Sequence, residues 1–179
     1  APLLEEPEEG LPQIRAGQLR LLRAKVAVVG AGGLGGHVIE LLARQGVGHL
    51  LIIDGDNFAC HNLNRQVLAP ARTLGMNKAR AAADRVAVVN SDVEVTAIPQ
   101  MLDETKATEW LAGMDVVVDA LDTLSARRML LAVAQNLRIP LVHAAIAGFT
   151  GQVATIWPDD LAISALFASR TDCDRGVET

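Results

Sequence analysis

Six residues, Gly30-Ala31-Gly32-Gly33-Leu34-Gly35, follow the apolar run Val26-Ala27-Val28-Val29 and precede a helical pattern over residues 37–45. Glycines in that place leave backbone N–H groups open at the start of a helix, where the amides and the helix dipole together hold a phosphate. Asp54 ends the next apolar run, Leu50-Leu51-Ile52-Ile53. A carboxylate about 20 residues beyond such glycines accepts hydrogen bonds from ribose hydroxyls. The chemistry these residues imply is nucleotide binding, with Gly30, Gly32, Gly33 and Gly35 on the phosphates and Asp54 on the sugar.

The elements that must position them follow from the alternation of apolar runs with helical patterns, the signature of a parallel sheet covered by helices. Strands are expected over residues 26–29, 50–53, 93–97, 116–119 and 141–144, with a further strand over 152–157 after the turn-like Gly148-Phe149-Thr150-Gly151. Helices are expected over 37–45, 77–89, 105–111 and 125–136, several closed by Gly or Asn. The fold class is therefore α/β: a doubly wound, mainly parallel Rossmann-like sheet with helices on both faces. A chain of 179 residues, 50% hydrophobic and 21% charged, can bury one good core.

Composition narrows the classes further. No apolar run approaches the roughly 18 residues of a membrane span, and no charged leader with a cleavage site opens the chain, so a cytoplasmic location is expected. Cys60 and Cys173 are too few for a disulfide framework. A net charge of −5 argues against a nucleic-acid surface. The run Glu5-Glu6-Pro7-Glu8-Glu9 reads as a solvated acidic tail. His37, His49, His61 and His143 have no metal-ligand spacing and read as structural or surface residues.

A plain dinucleotide-binding enzyme leaves the next segment unexplained. Asp54-Gly55-Asp56 is followed by Asn62-Leu63-Asn64-Arg65-Gln66 and by Gly75-Met76-Asn77-Lys78 at a helix start. Further on, Asp115-Val116-Val117-Val118-Asp119-Ala120-Leu121-Asp122 ends a strand on two acids, followed by Arg127. In this ordered combination the chain resembles the ThiF/MoeB/HesA family, the bacterial relatives of ubiquitin-activating enzymes, from about Gly17 to its end. The resemblance implies ATP- and magnesium-dependent adenylation of the C-terminal glycine carboxylate of a ubiquitin-like sulfur-carrier protein ending in Gly-Gly, a step of cofactor biosynthesis, by a homodimer. It implies Arg65 and Lys78 as the catalytic cations on the phosphates, Asp122 as the acid associated with magnesium, Asn62 near the phosphates, and Asp56 beside Asp54 in the nucleotide site. A carboxylate attacking an α-phosphate approaches a polyanion, so cations must neutralise charge there. Taken singly, Arg65 also suits a surface residue capping its loop, Lys78 a solvated helix face, and Asp122 a helix N-cap. Arg127 suits a pair with Asp122 or a helix surface.

Some family features have no counterpart. Thr123 stands where the family has Asn after the acid, and nothing matches an arginine pair in the N-terminal arm. Ile163-Ser164-Ala165-Leu166-Phe167 lies where zinc-binding members carry Cys-x-x-Cys, so no zinc is expected. Cys173 falls where the family often has a cysteine, the candidate for a thioester or persulfide link; Asp172 and Asp174 would raise its pKa and Arg175 would oppose them. The organisation expected is an N-terminal arm over 1–16, an adenylation domain over 17–158, and over 159–179 the start of a crossover and C-terminal segment that the family continues further. Three other readings stay open. They are an NAD-binding oxidoreductase using Asp54, a noncatalytic nucleotide-binding module of the same fold, and an enzyme that adenylates a small carboxylate or a modified tRNA nucleoside.

Overall fold

The computed structural model describes residues 12–160, which leaves Cys173 outside the described residues. Strand β1 (Lys25–Val29) and strand β2 (His49–Ile53) are apolar along almost their whole length, the pattern of central parallel strands covered on both faces. With β3 (Glu94–Ile98), β4 (Val116–Asp119), β5 (Leu141–Ala147) and β6 (Thr150–Ile156) they form one sheet of order β3-β2-β1-β4-β5-β6. All neighbours are parallel except β5 and β6, which form an antiparallel hairpin at the edge.

Side chains alternate across each strand and so sort into two layers. Val26, Val28, Leu50 and Ile52 point to one face, where they meet Ile39 and Ala43 of α2 (Gly33–Gln45) and Ala79, Ala82 and Val86 of α3 (Lys78–Val89). Ala27, Val29, Leu51 and Ile53 point to the other, against Ala107 and Leu111 of α4 (Glu104–Leu111) and Leu130, Val133 and Ala134 of α5 (Leu124–Asn136). The expected doubly wound sheet with helices on both faces is the fold observed. Burying side chains of this size stabilises by about 1.5–3 kcal/mol each, so the two layers supply most of the driving force. No helix among the described residues is long and apolar enough to cross a membrane.

The differences from expectation are local. Helix α1 (Pro12–Arg23) was not expected; it adds Leu21 to the first layer, and Ala24 follows just after it. Helix α2 begins four residues before the expected 37, because three glycines, Gly33, Gly35 and Gly36, lie inside its first turns. The hairpin is longer than expected: β5 runs on to Ala147 and pairs with Thr150, so Gly148 and Phe149 alone make the turn. Gly148 takes the positive φ of 58° that a two-residue turn requires.

Helices α2 and α3 are fastened by Glu40, whose carboxylate accepts from Arg85 Nε at 2.7 Å and from Arg44 Nη2 at 2.6 Å. The Arg85 guanidinium holds the Glu40 carboxyl down at about 2, below the ordinary 4.5, with Arg44 adding to the effect against the cost of burial. A carboxyl depressed in the folded state stabilises fully above its unfolded value and loses that contribution as pH falls through its folded value. Glu40→Gln should therefore cost about 1 kcal/mol near neutral pH, with both arginines partly solvated. In denaturant titrations, the gap between variant and wild type should close as pH falls from 4.5 to about 2.

Candidate nucleotide site

Strand order reverses between β1 and β4: the chain leaves β1 toward β2 on one side and later returns to β4 on the other. In open sheets of this kind the crevice outside the carboxyl ends of those strands is where ligands bind. Both strand ends here are built for close approach. Gly30, with φ of 96°, follows β1, and a Cβ at this position would stand 2.6 Å from the Ala120 carbonyl oxygen after β4. A Cβ on Gly35 would collide with the Gly30 carbonyl, so that glycine lets the first turn of α2 pack directly on the loop. Gly33, by contrast, has open space where its side chain would be. Gly32 caps α2 without any side-chain hydrogen bond, so no cap side chain claims the first amides of the helix.

The carboxylate of Asp54, at the end of β2, lies against this loop. Its Oδ2 accepts from the Ala31 amide at 2.7 Å and its Oδ1 from the Asp56 amide at 2.8 Å. Burial pushes the Asp54 carboxyl above its ordinary range, and the two amides and the Lys78 charge oppose that rise. Each oxygen keeps further acceptor capacity after its one amide bond, which is what a pair of ribose hydroxyls needs.

Two residues at the start of α3 complete this side. Asn77 caps the helix, its side-chain oxygen accepting from the Arg80 amide, while its Nδ2 donates to the carbonyls of Asp54 and Asp56, each at 3.0 Å. Lys78 follows with 7% of its surface exposed, its Nζ 2.8 Å from Asp56 Oδ2 and its own amide bonded to the Asp56 carbonyl. The reading of Lys78 as a solvated helix face is thereby corrected: a lysine is almost never buried this far without a partner, and this one is held at the acid loop.

The intervening loop carries the other expected residues. Asn62 is buried, and its Oδ1 accepts from the Ala59 amide at 2.9 Å, so this oxygen holds the loop itself. Arg65 is exposed, with Nη1 folded back onto the His61 carbonyl at 2.9 Å and Asn64 Oδ1 at 3.0 Å. Gln66 is 8% exposed; its Oε1 is buried without a hydrogen-bond partner, and its Nε2 stands 3.6 Å from where a Cβ on Gly32 would be. A buried amide oxygen left orphaned beside a glycine loop is a polar group of the site that sequence reasoning did not assign.

Asp122 sits exposed in the turn between β4 and α5. It is not the cap of α5, since Thr123 occupies that position and its carbonyl accepts from the Arg127 amide. Arg127 does not pair with Asp122 either: it is buried and turns to Asp119, Ala144 and Leu121. Among the described residues no group of three or more His, Cys, Asp or Glu side chains forms a metal cage. One exposed carboxylate beside the glycine loop is a donor that would suit magnesium, which is commonly held by one or two carboxylates and substrate phosphates. The glycine loop, Asp54, Asp56, Lys78 and Gln66 thus share one end of the sheet, with the Asp122 turn against Gly30, while Arg65 is exposed and bonded within its own loop.

The ThiF family model matches residues 11–177. The chain is 44% identical over 151 residues to the SAMP-activating enzyme E1 of Haloferax volcanii, covering 84% of this chain and 56% of that protein. It is 43% identical over 145 residues to the sulfur carrier protein adenylyltransferase of Thermus thermophilus, covering 80% and 54%. Among solved structures it resembles the E. coli tRNA N6-threonylcarbamoyladenosine dehydratase TcdA in complex with ATP, with a TM-score of 0.72, 31% identity, and coverage of 75% of this chain and 56% of that one. The chain thus spans about half the length of the curated relatives it matches.

The contrast between two glycines separates fold from site. Gly35→Ala should lower unfolding free energy by at least ~2 kcal/mol, the scale of overpacking against backbone. Gly33→Ala should melt at or above the wild-type temperature, since alanine is the better helix former. If the open space beside Gly33 is where a phosphate approaches the helix start, the added methyl group would fill it, and calorimetry should then find ATP bound about tenfold more weakly or worse.

Proposed function

The chain belongs to the ThiF family, and from that membership we propose that it serves an ATP- and magnesium-dependent adenylyltransferase acting on the C-terminal glycine carboxylate of a ubiquitin-like sulfur-carrier protein. The observation that carries the reading is Lys78: a buried ammonium at the head of α3, hydrogen-bonded to the acid loop that also holds Asp54. An oxidoreductase reading of the same glycine loop has no use for that cation.

In this reading the α2 amides and Gly33 receive the phosphates, and Asp54 holds the ribose and fixes the nucleotide's orientation. The carrier's carboxylate oxygen attacks the α-phosphorus, the bond to the β-phosphate oxygen breaks, and pyrophosphate leaves with the charge. Lys78 exchanges Asp56 for a phosphate oxygen, and Arg65 releases its own loop to bring its planar fork onto the departing phosphates. Asp122 would hold magnesium, which when bound acts as a Lewis acid on phosphate oxygens. No side-chain nucleophile is required, so positioning and preorganised charge carry the rate. Cys173, if it acts, acts afterwards, in acyl or sulfur transfer. The active form is proposed to be a homodimer, with residues 1–16 as an arm, 17–158 as the adenylating domain and 159–179 as the start of the crossover segment.

A second reading, adenylation of a group on a modified tRNA nucleoside, is favoured by the likeness to ATP-bound TcdA. The net charge of −5 weighs against a tRNA surface on this part of the protein.

With a Gly-Gly-tailed carrier and ATP–magnesium, the protein should exchange labelled pyrophosphate into ATP, and the exchange should require the carrier's free carboxylate. Lys78→Ala and Arg65→Ala should each slow it by roughly 10²-fold, the scale of removing one preorganised charge-stabilising donor. Asp54→Ala should abolish ATP binding, and Cys173→Ala should leave exchange intact. Full exchange by the lysine and arginine variants would sink the assignment. Exchange dependent on modified tRNA and indifferent to the carrier would establish the second reading.

A further inference from the structure

Behind the Asp122 turn lies a buried charged network that the adenylation reading does not use. Asp119 ends β4 with 1% of its surface exposed, His143 lies in β5 with 3%, and Arg127 in α5 with 8%. Asp119 Oδ2 accepts from His143 Nδ1 at 2.7 Å, and Arg127 Nη1 stands 3.7 Å from the same oxygen. A buried carboxylate of this kind is retained only where its partners are complete.

What the network does with its remaining hydrogen-bonding capacity is specific. Asp119 Oδ1 accepts from the Leu121 amide at 3.0 Å, and Arg127 Nη2 donates to the Leu121 carbonyl. Both polar groups of the residue immediately before Asp122 are thus held by the two charged partners. The same guanidinium donates through Nη1 to the Ala144 carbonyl at 3.1 Å, which ties the turn to β5. On its other side the turn is pressed against Gly30 through Ala120. His143 Nδ1 donates to Asp119 Oδ2 and the same ring stands 3.3 Å from Arg127 Nη1, and so it holds the rotation of the carboxylate that reaches Leu121.

We propose that Asp119, His143 and Arg127 are positioning residues whose task is to fix the Leu121 peptide and so aim the Asp122 carboxylate at nucleotide-bound magnesium. The inference rests on the adenylation reading for the role of Asp122, and it assigns to His143, on the neighbouring strand β5, a share in metal-dependent binding that its burial alone would not reveal.

The test uses the full chain and two readouts: backbone amide exchange at Leu121 and Asp122, and the factor by which magnesium tightens ATP binding in calorimetry. His143→Ala should speed amide exchange at these two residues by about tenfold or more and reduce the magnesium factor about tenfold, with ATP affinity in chelator unchanged. His143→Asn, whose amide can donate to the same oxygen, should restore most of both. In an Asp122→Asn background the magnesium factor should already be lost, and His143→Ala should add nothing to it. Should His143→Ala melt too low to assay, Arg127→Lys carries the test, because it keeps the charge but cannot span two carbonyls. A looser turn with an undiminished magnesium factor, or an unchanged turn, would overturn the proposal alone; failure of the wild-type chain to bind ATP at all would overturn it together with the adenylation reading.

Discussion

Everything at the site depends on how closely two backbone turns can approach where the sheet changes direction. Beyond β1 the chain must turn away from the sheet toward α2, and beyond β4 toward α5, and the two turns meet face to face at Gly30 and Ala120. A single extra carbon at Gly30 would meet the Ala120 carbonyl and force them apart. The apolar layers on either side can tolerate exchanges of similar volume. This contact cannot, because backbone has no rotamer to give way. The parallel registers of β1 with β2 and of β1 with β4 then place Ile53, Val29 and Asp119 at the same height, so that all three following loops open on one crevice.

Charge is distributed around that crevice in two depths. Near the mouth, Asp54, Asp56 and Lys78 are partnered by amides or by one another. Deeper, between β4, β5 and α5, the groups are nearly sealed, and removing one partner would leave an uncompensated charge, which costs several kcal/mol. In the proposed reading the outer set responds to a nucleotide while the inner set holds the frame still. Desolvation contributes to both: a carboxylate already stripped of part of its water, as Asp54 is, would give up less if ribose hydroxyls replaced what remains, as the proposed reading requires.

Much of this was legible in the residues themselves. Strands buried on both faces announce themselves as unbroken apolar runs, so β1, β2 and β4 needed no more than Val26-Ala27-Val28-Val29 and its counterparts. The start of α2 was misjudged because glycines are poor helix formers, yet three of them are helical here under the demand of close packing on the loop. Helix α1 escaped notice because most of its described side chains are exposed. The Asp119–His143–Arg127 network was missed for a different reason: its members are 16 and 24 residues apart, and nothing local links a histidine in one strand to an acid in another. One signal was available. An aspartate in register with the inward residues of an apolar strand must have a buried partner, and Asp119 occupies such a position.

Asn77 has a consequence for which substitutions this scaffold accepts. By the ordinary ranking of helix caps, aspartate or serine would serve at that position as well as asparagine. Here the side chain faces two ways, accepting from α3 with its oxygen and donating with its nitrogen to the carbonyls on either side of Gly55. Aspartate has no donor and would set a negative charge against those carbonyl oxygens; serine is too short to span them. Two structural duties held by one amide remove the interchangeability that either duty alone would permit, and a drift in sequence at this cap would be felt first in the acid loop rather than in the helix.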